Sequence, residues 1–252
     1  MNPIPKPIFW NKLSFCEKVF IYKMLLDERH ALYTDKIEAK RIAERHGVKV
    51  AKLIRVLNNP DDITTDDLND GWILKSAHGC QQNIWLHDGL DLDEIKQSLH
   101  LWNKPFTAMN EPHYKYIEPR FFIEERIRDK YLGTAGSLVY MIRCIYGSPI
   151  PILRVRYNGK SNTYDFDWKP LEPAGLEFPI EKPVQMDRMI QLASTMARQF
   201  EFVRIDFYVD DKDEIYFSEY TFTPNGGYPI GSNHLDVLAT KYWPRSVRPK
   251  TD

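Results

Sequence analysis

The chain has 252 residues, of which 43% are hydrophobic and 27% charged, with a formal net charge of −1. This is the make-up of a soluble globular protein with room for one compound domain or two small ones, and the balanced charge offers no electrostatic support for nucleic-acid binding. Cys16, Cys80 and Cys144 form neither a metal motif nor an even disulfide framework, and no apolar run suits a signal peptide or a bilayer span, so a reduced, cytoplasmic setting is expected.

Residues 14–26 read as an amphipathic helix, with Val19, Tyr22 and Leu26 at helical spacing. A second helix is expected at 36–46, with Thr34 or Asp35 as N-cap and Gly47 as its stop. Residues 48–56 read as a strand, 61–70 as a polar connection, and 72–75 as a short apolar strand ending in Lys75. Ser76-Ala77-His78-Gly79-Cys80-Gln81-Gln82-Asn83 follows, a loop of small and polar residues ahead of a strand at 84–86. Such a loop either brings successive amides up to phosphate oxygens, with Lys75 as a fixed charge, or is a plain surface hairpin. His78 within it is either a phosphate contact or a hydrogen-bonded structural histidine. Cys80 has no partnered base and is expected only to fill its loop position.

A helix at 91–102 leads into an irregular aromatic segment up to 118, whose rings either stack on a sugar face or pack on the core. Residues 120–127 read as an apolar strand ending in acids. Three further strands are expected at 138–146, 150–157 and 161–168, joined by turns at 146–149 and 158–160. Arg143 lies inside the first of these and needs an anionic partner if its face is covered. Helices are expected at 187–200 and 235–242, the second with Ser232 or Asn233 as cap beside His234. Helices and short strands first, then a largely antiparallel sheet flanked by helices, make the fold class α+β.

The chain is organised around residues 202–227. Val203, Ile205, Phe207 and Val209 alternate with Arg204, Asp206 and Tyr208, and a second strand follows at 215–221. Any even-length turn between the two strands puts Asp206 and Glu219 on one face. With Arg204 and a Pro-Asn-Gly-Gly turn alongside, the two carboxylates make either a Mg²⁺ site facing phosphates or the polar face of an ordinary hairpin.

Asp35-Lys36, WILKSAHG at 72–79, PRFFIEERI at 119–127, and VRIDFY followed by IYFSEYTFTPNGG at 203–227 occur in this order. On these motifs the chain resembles the ATP-grasp proteins over most of its length, and within them the TupA-like group tied to bacterial surface-polysaccharide gene clusters. The resemblance implies two α+β lobes clasping ATP. It divides the chain into a short N-terminal helical segment at 1–35, one lobe at 36–125 and a metal-bearing lobe at 126–252, without a full separate substrate domain. Lys36 and Lys75 then hold the α- and β-phosphates, and the loop with Ser76, His78 and Gly79 closes over them. Glu124, Glu125 and Ile127 match the hinge that reads the adenine edge and the ribose. Arg143 matches a basic residue facing the terminal phosphate, Arg204 one lying against the transferring phosphate or acyl phosphate, and Asp206 and Glu219 the Mg²⁺ carboxylates. Many ATP-grasp ligases carry an asparagine two residues after the metal-binding glutamate; here Thr221 stands in that place, so the further ligand is Thr221 or Asn225. The implied activity is ATP-dependent carboxylate–amine ligation through an acyl phosphate, joining a carboxylate such as a uronic-acid sugar to an amino-acid amine. A small-molecule kinase, a non-catalytic nucleotide-binding protein and a glycosyltransferase are the alternatives.

Overall fold

The computed structural model describes residues 6–107, 110–229 and 233–244. Ser14 opens the first helix, α1 (Phe15–Lys23), in a capping box with Glu17. A helix absent from the sequence pattern follows, α2 (Glu28–Thr34), capped by Asp27 with His30. Its buried positions are His30, Ala31 and Thr34, too polar a set to register as an apolar stripe. Asp35 caps α3 (Lys36–Arg45) as expected, accepting from the amides of Ile37 at 2.9 Å and Glu38 at 3.2 Å. Gly47 then leaves the helix with a φ of +71°.

The single strand expected at 48–56 is two strands in different sheets. β1 (Lys49–Val50) pairs in parallel with β10 (Ile215–Thr221), whereas β2 (Leu53–Leu57) pairs antiparallel with β5 (Phe121–Glu125). Periodicity sees extended residues but not that the chain changes partners between them. A four-stranded antiparallel sheet in the order β2-β5-β3-β4 is completed by β3 (Trp72–Ser76) and β4 (Asn83–Trp85). It is backed by α4 (Leu92–Trp102), whose Ile95 and Leu99 share a core with Leu57, Leu74, Leu86, Phe121 and Ile123.

The larger sheet has six strands in the order β1-β10-β9-β6-β7-β8, from β6 (Val139–Ile145), β7 (Ser148–Tyr157), β8 (Lys160–Tyr164) and β9 (Phe202–Val209). The strand expected to run to 168 stops at Tyr164, where the chain turns back and stacks Trp168 on Tyr164 with ring centroids 4.2 Å apart. On one face of β9, Val203, Ile205 and Phe207 are fully buried, and α5 (Met186–Ala197) covers the same face of β6 through Cys144 and Ala193. On the other face, Phe202 packs against Phe15 of α1 and against Trp243, just beyond α6 (Asn233–Thr240). Ser232, one of the two caps expected for α6, lies outside the described residues, as does the side chain of Asn233. Further along that face come Arg204, Asp206 and Tyr208, which no helix covers; they look across at the small sheet. Among the described residues no helix is long and apolar enough to cross a membrane.

The two acids share a face as expected, but the even-length turn on which that expectation rested is not there. Val209 pairs with Ile215, so the turn at 210–214 has an odd number of residues. Regular pairing from there would set Glu219 against Ile205, on the core face. A one-residue bulge at Ser218 shifts the register between Phe217 and Glu219, and Glu219 comes to lie opposite Asp206.

Candidate active site

Arg204 is the centre of the cleft-facing end of that face. Its Nε and Nη2 donate to the two carboxylate oxygens of Asp206 at 2.7 and 2.5 Å, and Nη2 also reaches Glu219 Oε1 at 3.2 Å and Thr221 Oγ1 at 3.0 Å. Thr221 Oγ1 in turn lies 3.0 Å from Glu219 Oε1. Asp206 is 1% exposed. Burial and the charge of Glu219 push its carboxyl up to about 7, against the pull of Arg204. For Glu219 burial also opposes the charge, but Arg204 and Lys36 outweigh it and hold the carboxyl below its usual value.

Two carboxylates directly opposed across β9 and β10, one of them resisting its own charge even beside Arg204, form an all-oxygen donor set. That fits a hard cation such as Mg²⁺, with Thr221 as the adjacent hydroxyl. Among the described residues no group of three or more His, Cys, Asp or Glu side chains could hold a metal, so substrate oxygens would have to complete the shell. Asn225 has its amide nitrogen committed to the carbonyls of Tyr228 and Pro229, at 3.3 and 3.1 Å, and no hydrogen bond ties it to either acid. Thr221 is tied to Glu219, while the bonds of Asn225 leave its Oδ1, the atom that would bind a cation, uncommitted, and both residues line the cleft.

Opposite these acids stands a wall of lysines. Lys36 opens α3, and its Nζ bonds the carbonyl of Gly79. A Cβ at Gly79 would meet the carboxamide of Gln82, which would have to swing out of its present place in the loop. Ser76 is 1% exposed, its amide bonds Gln82 O at 3.0 Å, and its Oγ has no partner. Lys75 Nζ and Lys40 Nζ each lie 2.7 Å from a different oxygen of Glu124, which is 1% exposed. Glu124 holds two lysines in place, and it also lines the second part of the cleft. Lys40 was not singled out from the sequence, although it lies four residues after Lys36, on the same face of α3. Removing Glu124's charge leaves both ammonium groups buried without a counter-ion. Glu124→Gln is expected to cost about 3–5 kcal/mol of stability. Pyrophosphate should restore more of the variant's melting temperature than it adds to the wild type; equal shifts would show that the lysines do not face a phosphate site.

His78 is not a phosphate contact. It is fully buried, with Nε2 2.8 Å from the carbonyl of Trp102 and Nδ1 3.2 Å from the backbone of Arg120. It fastens the loop to the small sheet. Cys80 reaches the surface, and its sulfur lies 3.0 Å from the Tyr114 hydroxyl. The surrounding protein desolvates the sulfur and, against the pull of Lys36, pushes the thiol up, which keeps it from being a ready nucleophile. Of the aromatic segment, Tyr114 packs with Ala31, Ile117 and Phe106, its core fate rather than a sugar platform; residues 108–109 lie outside those described.

Between the two sheets runs one cleft, in two contiguous parts of about 460 and 650 Å³. The first is lined by Lys36, Lys40, Lys75, Arg143, Arg204 and Glu219 among others. The second adds Glu125 and Ile127 at the hinge, with Ile73, Val139 and Met141 as apolar walls suited to a flat ring. Those walls were missed because buried aliphatic residues in strands look like any other core. Glu125 itself pairs with Lys52 at the surface, at 3.1 Å.

Two α+β lobes, one with a lysine wall and one with an Arg-Asp-Glu patch, facing each other across a cleft define the ATP-grasp fold. The chain belongs to the TupA-like ATP-grasp family, whose model matches residues 18–237. Among solved structures it is similar to the L-amino acid ligase of Bacillus licheniformis, at 10% identity and a TM-score of 0.51, covering 83% of this chain and 49% of that one. It is also similar to a complex of the Campylobacter jejuni biotin carboxylase with β,γ-ATP, at 17% identity, TM-score 0.47 and coverage of 81% and 48%. The N5-carboxyaminoimidazole synthetase of Staphylococcus aureus matches at 14% identity, TM-score 0.46 and coverage of 82% and 47%. The chain thus spans about half the length of these proteins. No curated protein sequence matches it.

Proposed function

We propose that the protein is a cytoplasmic ATP-dependent carboxylate–amine ligase acting in surface-polysaccharide biosynthesis, on a uronic-acid carboxylate and an amino-acid amine. The observation that carries this reading is the opposition of Asp206 and Glu219, clamped by Arg204, facing Lys36, Lys40 and Lys75 across one cleft. ATP lies between the lobes with its base near Glu125 and Ile127 and its α- and β-phosphates on the lysines. Mg²⁺, when bound by Asp206 and Glu219, neutralises charge on the phosphate oxygens.

In the first step a substrate carboxylate oxygen attacks the γ-phosphorus, the bond to the β,γ-bridging oxygen breaks, and ADP leaves. Arg204 and Arg143 stabilise the charge spread over the transferring group. In the second step the amine nitrogen attacks the acyl carbon, inorganic phosphate departs with its oxygen, and the amine gives up a proton. No nucleophilic side chain is needed, which agrees with the inert surroundings of Cys80.

The test is Mg²⁺-dependent ADP release, screened against pools of amino acids and uronic acids. Release that needs a carboxylate and an amine together, with one amide formed per ADP, is the expected result. Release with one compound alone and a stable phosphorylated product would make the protein a kinase and overturn the ligase reading.

A further inference from the structure

β7 brings two more cations to the cleft than the transferring phosphate uses. Arg154 lies opposite Met141 and Arg156 opposite Val139, so both point to the face that carries Arg143, Arg204 and Asp206. Arg143, Arg154, Arg156 and Arg204 all line the same part of the cleft. Arg204 spends Nε and Nη2 on Asp206, Glu219 and Thr221, whereas none of the other three makes an ion pair with an acid among the described residues. Arg143 is only 7% exposed, and among the described residues it has neither a hydrogen bond nor an ion pair. Arg154 makes one neutral contact, from Nε to Ser161 Oγ at 2.8 Å. Glu172 pulls on it electrostatically and also accepts from Thr163. Arg156 is exposed beside the Asn158-Gly159 turn at the mouth of the cleft.

A buried, unpartnered guanidinium is costly, and more so next to others of its kind. Arg143 stands directly opposite Arg204 across β6 and β9. Burial, then the charges of Arg204 and Arg154, pull its pKa down to about 10. No described side chain pairs with Arg143, although the charge of Asp206 acts on it from further along the sheet, so an anionic ligand would supply the direct partner that a covered arginine needs. The γ-phosphate accounts for Arg143 and Arg204 but not for the residues beyond. β7 is two strand spacings from β9, roughly 10 Å from the acid pair, too far for the same phosphate to serve both.

Resting on the ligase reading, we propose that Arg154 and Arg156, continuing from Arg143, form a subsite for a second oxyanion on the acid substrate. The substrate class is then an acid with two separated anionic groups. One is the carboxylate that is activated near Arg204, and the other is a carboxylate or phosphate held by the guanidinium forks of β7, whose planar donors suit either.

The test uses the full chain with Mg²⁺ and the non-hydrolysable β,γ-imido analogue of ATP filling the nucleotide site. Inorganic phosphate and glutarate are then titrated separately, with binding read by calorimetry and by the melting temperature. Saturable binding is expected, weakened at least tenfold in Arg156→Gln and abolished in Arg154→Gln/Arg156→Gln. Tighter phosphate binding would identify a phosphorylated acid, and tighter glutarate binding a dicarboxylate. Arg156 is exposed, so its single variant reports on the subsite even if the double variant folds poorly. Weak, non-saturable binding that is the same in wild type and Arg156→Gln overturns the subsite and leaves the ligase reading standing. Failure of the ATP analogue to bind overturns both, and is seen before any anion is added.

Discussion

Asp206→Asn and Glu219→Gln are each expected to lower Mg²⁺-dependent ATP turnover about 10³-fold or more while leaving the protein folded. Each removes one of the two anionic oxygens that would fix a cation against the phosphates, and such charge stabilisation is worth several kcal/mol at the transition state. Stability should respond differently from activity. The Asp206 carboxyl, raised to about 7, lies well above its value of ~3.9 in an unfolded chain. Its favourable contribution to stability is therefore complete below the unfolded value and is lost as the pH rises through the folded one. In metal-free buffer above that pH the wild type carries a charge that its surroundings resist, and the amide of Asp206→Asn does not. Arg204 keeps Glu219 and Thr221 as partners in the variant. The variant should thus melt close to the wild type or above it, without the further rise that Mg²⁺ and ATP give the wild type. Wild-type turnover in a folded Asp206→Asn/Glu219→Gln protein would sink the metal assignment.

Local chemistry was legible in the sequence where one residue settles it. Asp35 before an apolar-periodic run announces a helix start, and that cap is what aims Lys36 at the loop. Lys75 at the end of a short buried strand was readable for the same reason, since strand length and alternation fix where its side chain emerges. The reading of Arg143 was conditional on cover, and the structure supplied the cover without the partner. Features set by pairing were not legible. The bulge at Ser218 decides which face Glu219 takes, yet serine in a strand carries no signal for it. Nor does any pattern show that Lys49–Val50 and Leu53–Leu57 belong to different sheets, because each is a short extended run. Glu124 was legible as an acid at a strand end, but its two lysine partners come from α3 and β3, brought together only by the fold. The same limit hid Arg154 and Arg156: an alternating Arg-Val-Arg reads as the wet face of a strand until the opposite lobe closes over it.

Arg204→Met is expected to be the most informative single change in the site, because it alters charge on both sides of one balance. Arg204 is the cation that lets Asp206 and Glu219 sit together, and its side chain is 10% exposed. Without it two carboxylates face each other across adjacent strands with only the more distant charges of Lys36 and Arg143 to offset them, and breaking a buried pair in this way typically costs about 3–5 kcal/mol. The metal-free variant should melt well below the wild type. Mg²⁺ alone, with no nucleotide, should then raise its melting temperature more than it raises that of the wild type, because the ion takes over the neutralising role that the guanidinium had held. On the proposed ligase reading ATP turnover should nevertheless fall about 10³-fold, since a metal can restore the charge of the acids but not the guanidinium that this reading sets against the transferring phosphate. Arg204→Lys should recover much of the stability and little of the turnover, because an ammonium replaces the charge without the fork that spans both oxygens of Asp206. If Mg²⁺ stabilises Arg204→Met no more than the wild type, Asp206 and Glu219 are not the cation site. In that event the guanidinium–carboxylate cluster is a structural clamp between β9 and β10, and the phosphates must be neutralised by the lysines and arginines alone.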